Sequence, residues 1–258
     1  PYMDYLIADE IVIPPVSREH YVEKIAYMPH CYQANDIKRI ISERQFSRSE
    51  LGLPDKGFVF CCFNNNYKIT PQTYSSWMRV LKAVEGSVLW LIEDNPLAAN
   101  NLKAEAERRG VSPERIIFAS RLPLPEHLAR HRNADLFLDT LPYNAHTTAS
   151  DALWAGLPVL TCIGKTFPGR VTASLLTALE VPELIVQSVE EYEHLAIELA
   201  NNQSRLEDIK NKLLSNRMEK PLFNTQMFAK DLEALYSKMY ERYQENLESD
   251  HLFVNRAS

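Results

Sequence analysis

The chain has 258 residues, 45% of them apolar and 24% charged, which is enough for a packed core in one large domain or one domain with a piece of another. Its formal net charge is −6, with Lys and Arg scattered among the acids, so it offers no basic footprint for nucleic acid or an anionic membrane surface. No apolar run nears 18 residues and no charged-then-apolar leader is present, which excludes a spanning segment or a secretory signal in this stretch.

In chain order, Tyr2 to Ala8 reads as a buried strand. A short helix around Ser17 to Ile25 follows, then an irregular stretch from Ala26 to Asp36. Residues 37–57 are charged and end in the turn signal Leu53-Pro-Asp-Lys-Gly57, so a domain boundary is expected near residue 50. Beyond it, short β-branched or aromatic runs alternate with amphipathic segments. Strands are expected at Phe58 to Phe63, Val88 to Ile92, Arg115 to Ala119, Asp135 to Asp139, Pro158 to Ile163 and Leu184 to Val186. Helices are expected at Pro71 to Val84, Pro96 to Arg109, Pro125 to Asn133, Thr147 to Ala155 and Gly169 to Leu179. Near-continuous apolar strands separated by helices mean a parallel sheet covered on both faces, an α/β Rossmann-like doubly wound domain. After residue 188 come three helical segments with a gap at Pro221. The last, Thr225 to Gln244, carries Phe228, Leu232, Leu235, Met239 and Tyr243 on one face and must bury it against something.

The most informative stretch runs from Asp139 to Gly156, a strand ending in a polar turn from which a helix starts at His146-Thr147-Thr148. Such a start is either an ordinary N-cap ahead of a buried helix or, through its free backbone N–H groups and the positive end of its dipole, a seat for phosphate. Only 7 glycines occur, and no G-x-G-x-x-G can be written. Gly164-Lys165-Thr166 ends like a P-loop, but the glycine needed five places earlier is Val159, so that loop cannot wrap a phosphate. Lys68, after Asn64-Asn65-Asn66, is placed to neutralise a diphosphate or is a solvated loop lysine. Asp151 faces what the threonines face, and a carboxylate there suits sugar hydroxyls better than phosphate. His127 and His131 have zinc-ligand spacing but no third ligand nearby, and Arg130 beside them fits surface charge. With no Asp-x-Asp pair either, no metal is expected. Cys31, Cys61, Cys62 and Cys162 lack disulfide or metal spacing, which fits a reducing cytoplasm. No nucleophile elbow or catalytic triad is written in the chain, which argues against a hydrolase.

Several stretches together resemble one family. They are Cys62-Phe-Asn-Asn-Asn-Tyr-Lys68, Ser87-Val-Leu-Trp-Leu91, Arg115-Ile-Ile-Phe118, Pro125-Glu-His127, Leu138-Asp-Thr140, His146 to Gly156 and Pro221-Leu-Phe-Asn224. They look like the C-terminal catalytic half of protein O-GlcNAc transferase and its bacterial homologues. Met3 to Asp9 and Tyr27-Met-Pro-His30 resemble the end of that family's N-terminal catalytic half. The resemblance implies a GT-B glycosyltransferase that moves GlcNAc from UDP-GlcNAc to protein Ser or Thr hydroxyls, with inversion and without cofactor or metal. Carried onto this chain, it implies Asn65 beside the phosphates, Lys68 neutralising them, Thr147 and Thr148 holding the diphosphate, and His146 among the UDP-binding residues. It implies a base stacked on His127 and bordered by Leu122 and Arg130, a ribose on Asp151, and His30 reaching the sugar. Lys68 and His30 are thus the catalytic candidates. Leu124 stands where the animal enzymes carry a ribose-contacting lysine.

The division this implies is 1–49 as the tail of the N-terminal domain plus linker, 50–220 as the nucleotide-sugar-binding domain, and 221–258 as a helix returning to the N-terminal half. The chain starts at Pro1 without an initiator Met and is expected to be cut from a longer protein with tetratricopeptide repeats upstream. Two rivals stand beside this reading. One is a GDP-fucose-dependent O-fucosyltransferase like the SPINDLY group, which has a similar core but lacks the His-Thr-Thr plus Asp pattern. The other is a nucleotide-binding or scaffolding module without catalysis.

Overall fold

A computed structural model describes residues 2–254; Pro1 and the last four residues of the expected C-terminal segment lie outside it. The chain runs β1 (Tyr5–Ala8), β2 (Lys24–Tyr27), β3 (Val59–Cys62), α1 (Pro71–Ala83), β4 (Val88–Ile92), α2 (Pro96–Arg108), β5 (Ile116–Ala119) and α3 (Leu124–Arg130). It continues through β6 (Leu136–Leu138), α4 (Thr147–Trp154), β7 (Val159–Cys162), α5 (Val171–Ala178), β8 (Ile185–Val186), α6 (Val189–Asn201), α7 (Gln203–Glu219), α8 (Thr225–Gln244) and β9 (Leu252–Phe253).

Strands β3 to β8 form one six-stranded sheet in the order β5-β4-β3-β6-β7-β8, every pairing parallel. Buried on both faces, these strands carry almost no polar residue; all five residues of β4, Val-Leu-Trp-Leu-Ile, are buried. The helices between them start where side chains satisfy the free N–H groups. Thr70 caps α1 by accepting from the Thr73 amide, Asn95 caps α2 by accepting from the Leu97 amide, and a proline follows each cap. Helix α4 stops at Gly156, whose φ of +85° is open to glycine and whose absent Cβ leaves room for Leu214. The strand order reverses between β3 and β6, so a crevice opens beyond their carboxyl ends. This is a Rossmann-like doubly wound parallel sheet.

The N-terminal stretch departs from the sequence expectation. A single 3-10 segment, Pro15–His20, takes the place of the helix expected over Ser17 to Ile25, and the chain then enters β2, beginning inside that helix and ending in the supposed irregular stretch. Long-range pairing overrides the local pattern: β2 lies in register with β1 from Tyr5 beside Lys24 to Ala8 beside Tyr27, and Ile25, Ala26 and Tyr27 are buried. The C-terminal end is likewise more than a helix, because after α8 the chain returns as β9 and pairs with β2. Leu235 is buried against Ala26, Met28 and Leu252, with Phe228, Leu232 and Met239 packed around them, so the apolar stripe of α8 covers this small sheet. Tyr243, expected in that stripe, is 74% exposed. Asp9, after β1, accepts from the Ile11, Val12 and Tyr32 amides and from Ser174 Oγ at 2.6 Å, fastening the small sheet to α5.

One buried carboxylate arranges the loop that leads from β6 into α4. Asp139 Oδ1 accepts from the Thr140 amide at 2.8 Å and the Ala145 amide at 2.6 Å, while Oδ2 accepts from Thr161 Oγ1 on β7 at 2.7 Å. Asn144 Nδ2 donates to the Thr140 carbonyl, and Thr172 Oγ1 on α5 donates to the Ala145 carbonyl, both at 2.9 Å. Gly169 lets the neighbouring loop approach closely, since a Cβ there would meet the Pro142 carbonyl oxygen at 2.6 Å.

Burial pushes the Asp139 carboxyl up to about 6, against the hydrogen bonds it accepts. That is above the value of about 3.9 in an unfolded chain, so the folded state holds the extra proton between these values. The associated stability is full below pH ~4 and is lost as pH rises through ~6, a change of about 3 kcal/mol. Asp139→Asn mimics the uncharged form. Urea unfolding from pH 4 to 7 should show wild type losing about 3 kcal/mol relative to this variant. Parallel stability curves would contradict the burial argument.

Candidate functional site

The crevice between β3 and β6 gathers the phosphate candidates. Strand β3 ends at Cys62, and the chain turns through a 3-10 segment, Asn66–Lys68, that delivers Lys68 to the loop after β6. Lys68 Nζ donates to the Asn144 carbonyl at 2.8 Å and sits 4.3 Å from the Tyr143 ring centroid. The ammonium is half-buried, and desolvation lowers its pKa, opposed by the nearby Asp139. His146 stands at the N-cap of α4, stacked on Tyr143 with centroids 5.0 Å apart, and no side chain caps the helix. Its pKa is lowered by burial and then by Lys68, so it is a neutral ring at pH 7. Thr147 is exposed and Thr148 half-buried in the first turn. A cation, the positive end of a helix dipole and uncapped amides therefore face one space, which suits an anion.

Of the three asparagines after β3, Asn65 is the one expected at the phosphates, but its side chain makes no capping hydrogen bond. Asn64 is the one built into the site. Buried, it donates from Nδ2 to Thr140 Oγ1 at 2.8 Å and accepts at Oδ1 from the Thr148 hydroxyl, tying β3, the β6 loop and α4 together.

The base-side candidates cluster at the ends of β3, β4 and β5. Arg130, expected as surface charge, is 1% exposed. Its guanidinium donates from Nη1 to the Ser120 carbonyl at 2.6 Å, lies 4.7 Å from the Phe63 centroid, and meets His127 Nδ1. Because an arginine can only donate, Nδ1 accepts and the His127 proton sits on Nε2. Burial, then His131 and Arg130, push His127 down to about 3, so it is a neutral ring available for stacking. His131 is buried; its Nδ1 donates to the His127 carbonyl at 2.8 Å and its ring packs on Phe63, so the pair is a packing feature. Among the described residues no group of three His, Cys, Asp or Glu is placed to hold a metal ion. Leu122 and Arg130 line a cavity of about 500 Å³ together with Phe46, Trp90 and Ser120. Leu124 is 45% exposed at the start of α3.

Two candidates sit differently from expectation. Asp151 is already paired, its Oδ1 taken by Arg39 Nη1 from the segment expected as linker. His30 lines a separate cavity of about 270 Å³ with Glu10, Met28, Thr177 and Pro221, none of them a donor candidate. Asn64, Asp139, Asn144, Tyr143 and Arg39 are the residues that sequence reasoning missed. Only Asn64 and Asp139 had a signal, each closing a buried strand.

A family model for glycosyl transferase family 41 matches residues 42–232. A probable UDP-N-acetylglucosamine–peptide N-acetylglucosaminyltransferase of Arabidopsis thaliana is 37% identical, covering 98% of this chain and 26% of the relative. A UDP-N-acetylglucosamine–peptide N-acetylglucosaminyltransferase of Caenorhabditis elegans is 35% identical over 81% of this chain and 18% of its own length. The solved structure of a mutant O-GlcNAc transferase of Thermobaculum terrenum superposes with a TM-score of 0.81 at 30% identity, covering 92% of this chain and 45% of that one. The chain thus spans about a quarter or less of these curated relatives. With the match to the family model extending over most of its length, this chain belongs to glycosyl transferase family 41.

Proposed function

We propose that this chain is the donor-binding half of a protein O-glycosyltransferase that moves GlcNAc from UDP-GlcNAc to Ser or Thr hydroxyls with inversion. One observation carries the reading: Lys68, His146, Thr147 and Thr148 converge on the uncapped start of α4 at the point where the sheet order reverses. As the bond from the sugar to the β-phosphate breaks, negative charge grows on the departing UDP. Lys68 and the α4 amides are already in place to oppose that charge, so little reorganisation is needed. The acceptor hydroxyl attacks the opposite face of the sugar carbon, which inverts its configuration. Neutralisation by this cation and this helix end requires no metal. His127 stacks on the uracil, Leu122 and Arg130 border it, and Asp151 accepts the ribose hydroxyls. Asn65 keeps a place beside the phosphates, and His30 a place near the sugar, by resemblance alone.

The same proposal includes upstream tetratricopeptide repeats, a protein acceptor and a cytoplasmic location. All four cysteines are free and buried, which supports a reducing compartment. No described helix is long and apolar enough to cross a membrane.

Calorimetric titration of the full-length protein should show UDP binding at least ten times tighter than GDP, with no change on adding EDTA. Equal binding of GDP would favour the fucosyltransferase reading, and a chelator-sensitive loss would refute metal-free neutralisation. Lys68→Ala in the full-length protein should lower kcat/KM by on the order of 10²-fold, about 3 kcal/mol. Activity within a few-fold of wild type would return Lys68 to the solvated loop.

A further inference from the structure

Arg39 lies in a charged stretch that reads as linker, yet its side chain is only 13% exposed and every part of its guanidinium is engaged. Nε donates to the Asp36 carbonyl at 3.0 Å, Nη2 to Ser150 Oγ at 3.1 Å, and Nη1 to Asp151 Oδ1. The Ser150 hydroxyl proton goes to Asn35 Oδ1 at 2.6 Å, which leaves its oxygen free to accept from Arg39. The guanidinium carbon lies 5.7 Å from the Trp154 ring centroid and 5.9 Å from that of Phe223, and Trp154 Nε1 donates to the Arg39 carbonyl at 3.0 Å. Backbone and side chain are therefore both fixed to α4, the helix whose first turn forms the phosphate site.

Asp151 sits one turn into that helix, where an unpaired carboxylate would repel a diphosphate bound at its start. Pairing with Arg39 removes this conflict. It also occupies only one carboxylate oxygen: Oδ2 has no hydrogen-bond partner among the described residues, and 16% of the Asp151 side chain still reaches solvent. Arg39 cannot be replaced in this role by a freely rotating lysine without loss, because the planar fork addresses Ser150 and Asp151 at once.

We propose that Arg39 is a positioning residue for the donor: it clamps Asp151 Oδ1, cancels its charge toward the diphosphate, and leaves Oδ2 to accept the ribose hydroxyls. This rests on the assignment of Asp151 to the ribose made above.

The test compares UDP with 2′,3′-dideoxy-UDP by calorimetry in the full-length protein. Wild type should prefer UDP by about tenfold or more. Arg39→Met keeps a stem against Trp154 and Phe223 but loses the fork; it should weaken 2′,3′-dideoxy-UDP by a few-fold through the uncancelled Asp151 charge, weaken UDP by more than tenfold, and bring the ratio of the two affinities close to one. Arg39→Lys should recover part of the ratio, and Asp151→Asn should abolish it. A purely packing role for Arg39 would change both ligands alike and leave the ratio at its wild-type value, which would overturn the proposal. Tighter UDP binding by Arg39→Met would also overturn it, since Arg39 would then be a competitor for Asp151. If Asp151→Asn abolishes the ratio while Arg39→Met preserves it, only the Arg39 proposal falls. If wild type itself shows no preference for UDP, the ribose assignment of Asp151 falls and the Arg39 proposal with it.

Discussion

The site depends on the buried carboxylate of Asp139. A polar loop leaving the centre of a sheet would expose unpaired amides to an apolar core, and each would cost roughly 1–3 kcal/mol. Asp139 takes two of those amides and a hydroxyl from β7, and so closes the turn between β6 and α4. The groups proposed to hold the diphosphate are all referred to that turn: the Asn144 carbonyl that receives Lys68, the Tyr143 ring beneath it, and the first turn of α4. The carboxylate also opposes, in part, the desolvation that lowers the pKa of the half-buried Lys68.

Charge is balanced in pairs around α4. Lys68 stands near Asp139 on one side, and Arg39 holds Asp151 on the other. A helix start surrounded this way keeps its positive end available for a ligand instead of spending it on a side-chain cap. The residues proposed for the base work by different physics. Arg130 and His127 are held over Phe63 by burial, and the always-protonated guanidinium fixes the histidine as a neutral ring with its proton on Nε2.

Much of this was legible in the sequence, for local reasons. Five apolar residues in a row mark β4, and prolines after Thr70 and Asn95 mark the starts of α1 and α2. His146-Thr147-Thr148 was legible as a helix start because a polar turn and two hydroxyl residues precede the apolar helical pattern. What was not legible depends on partners far along the chain. Lys24–Tyr27 is a strand because β1 and β9 lie on either side of it, and the two residues of β9 carry no periodicity of their own. The amide run after β3 could not say which asparagine turns inward, and the fold selects Asn64. Nothing local joins Arg39 to Asp151 across 112 positions, or hides Arg130 beneath the ends of three strands.

The central claim is that a diphosphate sits on the start of α4, with Lys68 turned to it. The most direct measurement is a crystal structure of the full-length protein with UDP. The account predicts phosphate oxygens within hydrogen-bond distance of the Thr147 and Thr148 amides and of Lys68 Nζ, with the ribose against Asp151. A diphosphate seated elsewhere, for instance in the cavity lined by His30, Glu10 and Thr177, would contradict it.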